Sequence, residues 1–287
     1  MVNKLCVSFS GGKTSAYMAR WCQQHAHEHG FDQVRYVFAN TGQEHERTLE
    51  FVQRCDDEWG LDVTWVEAVV HHGERKASTH KVVDFDTASR DGEPFEEVIK
   101  KYGIPNHSLR FTCTRELKIN PHKSLLRSWG WGDCQTAIGI RMDEIDRMQP
   151  DAREKRVVYP LIKWQAMDKP AIERFWQRQP FTLELEPLMG NCVTCWKKTD
   201  RKLLTIAANE PERFDFNRRA ERIYAQSERQ DSPNDPRGHF FRGARSADDI
   251  IARSRQPFRP WVETQQDDLF TDMDTPNGCS ESCEVTW

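Results

Sequence analysis

The stretch KLCVSFSGGKTSAYMARW, Lys4–Trp21, decides the fold. KLCVSF is a short apolar run of strand type. Beyond the glycine pair, Ala16, Met18, Ala19 and Cys22 recur at helical spacing, with Gly30 as the stop. VRYVFAN (Val34–Asn40) reads as a second strand, EHERTLEFVQRCDDEW as a helix ending at Gly60, and LDVTWVEA as a third strand. Strands alternating with helices at this spacing predict an α/β protein built on a parallel sheet with crossover helices. Residues 71–105 are polar and read as loop, with a short helix near Phe95–Tyr102. CTRELKINPHKSLLRSW reads as a helix that Pro121 starts or bends, CQTAIGI (Cys134–Ile140) as a buried strand and VVYPLI as an extended piece. Asp168 caps a helix through Gln177, and helical stretches follow near Cys195–Asn209, Glu212–Gln226 and Ala247–Ser254.

Gly12-Lys13-Thr14 suggests a Walker phosphate loop, but Val7 stands where that motif needs its first glycine. What remains is Ser10-Gly11-Gly12-Lys13-Thr14-Ser15 between a strand and a helix. Paired glycines let successive N–H groups turn toward one point, and the helix adds its unpaired amides and positive end. Three hydroxyls and the Lys13 ammonium complete a set whose natural guest is phosphate. The bland reading is a glycine turn that binds nothing.

The chain has 287 residues and a net charge of −4, which argues against broad electrostatic capture of nucleic acid. No apolar run approaches a membrane span, and the residues before the glycine pair are too few for a signal peptide, so a cytoplasmic protein is expected. Nine cysteines make an odd count and no disulfide framework. Cys6 and Cys22 fall in apolar patterns as core residues, whereas Cys192 and Cys195 form C-x-x-C, the spacing of a shared metal or a redox pair. Basic runs surround Cys113 (Arg110, Arg115, Lys118, His122, Lys123) and follow Cys195 (Lys197, Lys198, Arg201, Lys202). Each is a solvated helix face unless the cysteines converge. Gly139, Arg141, Asp143 and Glu144 follow a buried strand, where parallel sheets place ligand groups. Arg141 is suited to phosphate, with Asp143 or Glu144 orienting Mg²⁺ or pairing with it. Asn40, Thr41 and Gly42, at the end of the second strand, form a nucleoside contact or a plain turn.

The loop Ser10–Ser15 resembles the S-G-G-x-[DT]-S loop of the PP-loop ATP pyrophosphatases. FANTGQEHERTLEFV, CTRELKINP, IGIRMDEIDR and CVTCWKKTDRKLL are similar to segments of the phosphoadenosine-phosphosulfate (PAPS) reductase-like branch of that superfamily, in the same order. The resemblance implies a Rossmann-like, adenine nucleotide alpha-hydrolase-like sheet followed by a helical, cysteine-containing segment. It implies ATP with Mg²⁺ at residues 10–15, with Arg115 and Lys118 beside the nucleotide or sulfur site. Iron–sulfur adenylyl-sulfate reductases of this kind place a Cys-Cys pair before a C-x-x-C to hold a [4Fe–4S] cluster. Here Thr112 and Thr114 flank a single Cys113. On that pattern the ligands are Cys113, Cys192, Cys195 and Cys283, with Cys279 as substitute for the last. Structural zinc or unligated thiols remain alternatives.

The resemblance supports three functions. One is ATP-dependent activation of an acceptor oxygen with pyrophosphate release, followed by sulfur transfer, as in DNA-phosphorothioation ATP pyrophosphatases and cluster-dependent tRNA thiolases; the acceptor is tRNA, DNA or a small molecule. Lys13, Arg115, Lys118 and Arg141 would carry the catalysis. Another is reduction of adenylyl sulfate or PAPS to sulfite, against which ESCEV lacks the Gly and His of the reductases' E-C-G-x-H. The third is a non-catalytic adaptor, since Gln266-Asp267-Asp268-Leu269-Phe270 is similar to peptides that dock on bacterial sliding clamps. The expected division is a nucleotide-binding domain over 1–165, a helical C-x-x-C segment over 166–226, and a polar, acidic tail over 227–287.

Overall fold

The computed structural model describes residues 2–106, 112–225 and 238–263. Six strands form one sheet in the order β4-β3-β2-β1-β5-β6. These are β1 (Lys4–Ser8), β2 (Gln33–Ala39), β3 (Val63–Val69), β4 (Thr79–Val83), β5 (Gln135–Ala137) and β6 (Val157–Val158). All pairings are parallel except β3 with β4. The α/β reading and its Rossmann-like sheet therefore hold. Strand order reverses on either side of β1, so a crevice opens beyond the carboxyl ends of β1 and β5, where such sheets bind ligands.

Side chains of β1 alternate between two cores. Leu5 and Val7 face α1 (Lys13–His25) and α2 (Glu46–Trp59), whose Ala16, Met18, Leu49 and Val52 are buried. Cys6 faces the other way, with Val37 and Val66, toward Leu125 and Leu126 of α4 (Asn120–Ser128). The Cys6 and Cys22 thiols are pushed up by burial and are inert packing groups.

Several elements differ from their sequence reading for local reasons. α2 starts at Glu46 rather than Glu44, because the His45 ring accepts the Arg47 amide at 3.1 Å and so caps the helix. β4 lies in a region read as loop. It is an edge strand whose first three residues, Thr79, His80 and Lys81, are polar, with Lys81 paired to the buried Glu67 at 2.8 Å, and this hides it from a hydrophobic pattern. The helical run through Thr112 and Cys113 passes into a π turn, Thr114–Ile119, before Pro121 enters the first turn of α4. Only Gln135–Ala137 of the Cys134–Ile140 run is strand. VVYPLI splits into β6 and the short α5 (Pro160–Lys163), with proline at the first helical position.

Asp168 caps α6 (Lys169–Trp176) by accepting the Ala171 amide at 2.8 Å. Ile172 and Trp176 of α6 pack into the core of the first sheet face. A second core gathers α3 (Glu93–Tyr102), α7 (Asp200–Asn209), α8 (Asp215–Tyr224) and α9 (Ala247–Ser254) around Phe214, Phe240 and Phe241. The two cores thus run across residues 165 and 226. Residues 238–254 belong to the body rather than to a polar tail, because Phe240, Phe241 and Ile250 are buried there. Cys279, Cys283 and Gln266–Phe270 lie outside the described residues. Among the described residues, no helix is long and apolar enough to cross a membrane.

Glu221 of α8 ties this second core together, accepting the Phe240 amide at 3.1 Å and the Ala247 amide at 2.8 Å. Burial pushes its carboxyl up to about 7, against the pull of those two amides. The folded state keeps this proton to higher pH than the unfolded chain does. Its contribution to stability is complete below the ordinary glutamate range and is lost as pH rises through about 7. Urea unfolding at pH 5, 6, 7 and 8 is expected to show a falling midpoint that Glu221→Gln flattens; parallel profiles would contradict this.

Candidate functional site: a phosphate loop beside a thiol cavity

β1 ends at Ser8, and the chain turns at Gly11 with φ +82° into α1. A Cβ on Gly11 would stand 2.5 Å from Cγ2 of Thr48, so this turn requires glycine twice over, for conformation and for space. Ser15 locks the loop. Its hydroxyl accepts from the Ser10 amide (3.1 Å) and lies 2.9 Å from the Ser10 hydroxyl and 3.0 Å from the Gly12 carbonyl. Gly12 caps α1 without a side-chain hydrogen bond, and the first turn carries no acidic residue. The carboxylates that line the cavity beside this positive helix end, Glu173, Glu186 and Glu263, come from later in the chain.

Residues Ser10–Ser15 line an open cavity of about 840 Å³ together with Thr48, Arg141, Lys169 and Asn191. Arg141 donates to the Thr14 hydroxyl at 3.1 Å and pairs with Asp143 at 2.9 Å and Glu144 at 3.4 Å. Burial works against the Asp143 charge, but the Arg141 guanidinium holds its carboxyl below the usual range. The loop's cations are already matched. Lys13 pairs with Glu173 at 3.0 Å, and Lys169 pairs with Glu263 at 3.2 Å across the cavity rim. Gly139 is buried on the strand exit before Arg141 and is not among the residues lining this cavity.

A second cavity, of about 540 Å³, is lined by Cys113, Cys192, Cys195, Lys118, Lys197 and Thr41, among aromatic neighbours. The structure brings the three cysteines of the described chain that were singled out for sulfur chemistry to one hollow. Cys192 reaches it because residues 43–44 and 192–193 form a backbone bridge, Val193 donating to the Gln43 carbonyl at 3.1 Å. From Cys192 to Lys198 the chain makes successive turns, and α7 starts only at Asp200, capped by Thr199, not at Cys195 as its sequence suggests. The Lys198 ammonium is buried and binds the Leu188 and Val193 carbonyls, the latter at 2.8 Å, which pins that turn.

A polar chain backs the thiols. The Cys192 Sγ lies 3.4 Å from the Thr41 hydroxyl, which donates to Glu44 at 2.8 Å, and Glu44 stands 3.9 Å from the Lys118 ammonium. Glu44 and Lys118 are both buried. Glu44 was not legible as a site residue; its place in the helix-like run EHERTLEF disguised it. Asn40 is fully buried with its amide committed to Glu67 (2.7 Å) and the Ser89 carbonyl (2.8 Å), so it braces the strand end. Gly42 has φ +76° and passes so close to Gly92 that a Cβ would meet its Cα at 2.9 Å. Arg115 is half exposed, donates to Glu116 at 2.8 Å and lines neither cavity. His122 is pushed down to about 4 by burial, so it adds no positive charge to the basic run at neutral pH.

The two cavities meet at one peptide. Asn191 lines the phosphate-loop cavity and Cys192 the thiol cavity, and Asn191 holds a left-handed φ of 59° at the pivot. Residues 4–169, more than half of the chain and including the loop at the topological switch point, match one family: the phosphoadenosine phosphosulfate reductase domain. The chain belongs to the phosphoadenosine phosphosulfate reductase family. It is also 32% identical, over 97% of its length and 94% of the relative's, to the uncharacterized nin region protein ORF290 of Escherichia phage lambda.

For this family member, the donor set bears on the iron–sulfur and zinc expectations. Three thiols face one hollow, which suits a soft metal in chemistry. Yet no three His, Cys, Asp or Glu side chains among the described residues are gathered closely enough to hold a metal ion. The described residues do not by themselves make the four-thiolate set that a [4Fe–4S] cluster or structural zinc requires.

Two backbone positions carry the arrangement. Gly11→Ala is expected to lose about 1–3 kcal/mol of stability in urea unfolding, because φ +82° and the Thr48 methyl both oppose a Cβ. Asn191→Val, placing a β-branched residue at positive φ, is expected to cost a similar amount in the same measurement.

Proposed function

We propose that this protein binds ATP at Ser10–Ser15, directs an acceptor oxygen onto the α-phosphorus with release of pyrophosphate, and replaces the adenylylated oxygen with sulfur. The observation that carries this reading is the placement of consecutive residues, Asn191 and Cys192, on the walls of the phosphate-loop and thiol cavities. The α1 amides and Lys13 would hold the phosphates, displacing Glu173, and Arg141 would neutralise charge that grows on the α-phosphoryl oxygens. Mg²⁺ would accompany the nucleotide.

In the second half-reaction a sulfane-sulfur donor loads Cys192 as a persulfide. Its terminal sulfur attacks the activated carbon, the C–O bond breaks and AMP leaves. A second thiol, Cys195 or Cys113, then attacks the Cys192 sulfur and frees the thiolated product; the resulting disulfide is returned to dithiol by a thiol reductant. Lys118 and Lys197, on the thiol cavity, would stabilise the thiolate forms.

A second reading is favoured by the family description itself. A thiolate attacks the sulfur of adenylyl sulfate or PAPS and releases the nucleotide, and a second thiol frees sulfite as a disulfide forms. Products separate the two. The first reading expects labelled AMP from [α-³²P]ATP and labelled pyrophosphate from [γ-³²P]ATP in the presence of acceptor, with Ser10→Ala/Lys13→Ala lowering the rate at least a hundredfold. Sulfite from PAPS, without pyrophosphate from ATP, would overturn it in favour of the reductase. Nucleotide binding without either product would leave the adaptor reading.

A further inference from the structure

Thr48 sits in the first turn of α2, 3% exposed, on the wall of the phosphate-loop cavity. Its methyl group presses on Gly11, and its Oγ1 has no hydrogen-bond partner among the described residues. Threonine hydroxyls on helices commonly satisfy themselves on a carbonyl one turn back. This one does not. A buried, unsatisfied hydroxyl is a standing cost to the fold, and such exceptions mark places where something else supplies the partner. The groups around the site point to a phosphate oxygen as that partner. Thr48 stands against the same Gly11 turn that opens the α1 amides, beside Lys13, Lys169 and Arg141; of the glutamates on the cavity wall, Glu173 and Glu263 are paired to Lys13 and Lys169, and Glu186 lines it as well.

We infer that Thr48 is a further phosphate-binding residue: its hydroxyl donates to an oxygen of the polyphosphate held by Ser10–Ser15, while its methyl shapes the Gly11 turn. The first turn of α2 then joins that of α1 in gripping the ligand. The loop motif Ser10–Ser15 contains no residue from this second helix, so the contact extends the cradle beyond the recognisable sequence. The inference rests on the nucleotide reading of the loop.

Isothermal titration of the full-length protein with Mg·ATP, and separately with pyrophosphate alone, tests it using two substitutions that divide the side chain. Thr48→Val keeps the shape and removes the hydroxyl. It is expected to weaken both ligands about tenfold or more, while the ligand-free protein melts at the same or a higher temperature because the unsatisfied group is gone. Thr48→Ser keeps the hydroxyl and loses the methyl. It is expected to hold affinity within about threefold. Valine binding as tightly as wild type, or serine weakening binding as much as valine, would overturn the role of the hydroxyl and leave Thr48 as packing only. Wild type that binds neither ligand would overturn the nucleotide reading itself, and this inference with it.

Discussion

The architecture of the site depends on one missing side chain. Because residue 11 has no Cβ, α2 can lie against the turn after β1, and α1 can start with its amides facing the crevice. That contact fixes where the positive ends of two helices stand relative to the sheet. The Ser15 hydroxyl then holds the turn from inside, leaving the first-turn amides of α1 aimed outward. Everything built around the phosphate loop, including Arg141 arriving from the other side of β1, is measured from this point.

The second organising feature is the buried polar chain from Lys118 through Glu44 and Thr41 to Cys192. Burying a carboxylate beside an ammonium is tolerable only when remaining hydrogen-bond capacity is filled. Glu44 meets that condition by taking both the amide and the hydroxyl of Thr41. The network therefore does more than neutralise charge. It links the end of β2 to the C-x-x-C turn, so a strand of the sheet and a thiol on the wall of the second cavity share one hydrogen-bonded network.

How much of this was legible follows from which physical signals are local. The β1–loop–α1 unit was readable because strand period, paired glycines and helix period all fall within eighteen residues. The convergence of Cys113 with Cys192 and Cys195 was suggested by the order of motifs, but only tertiary packing brings them to one hollow. β4 carries no hydrophobic mark in the sequence because an edge strand need not be apolar. Phe240 and Phe241 read as tail in the sequence because their neighbours are polar, although two adjacent phenylalanines bury enough surface to draw the chain into the core. Glu44, Thr48 and Asn191 could not be singled out at all. Their roles come from what they touch across the fold, and ordinary polar residues carry no mark of that in sequence.

The carboxylates that cross the phosphate-loop cavity give it the character of an ion exchanger. Glu173 and Glu263 are tethered counter-ions for Lys13 and Lys169, present at a local concentration that dissolved chloride does not match. A monovalent anion entering the crevice would have to break a pair to make a pair, with nothing gained. A polyanion with several linked charges can displace both carboxylates at once and still meet the helix amides. Any guest of the loop would therefore be weighed against the protein's own acids, which already hold its bases.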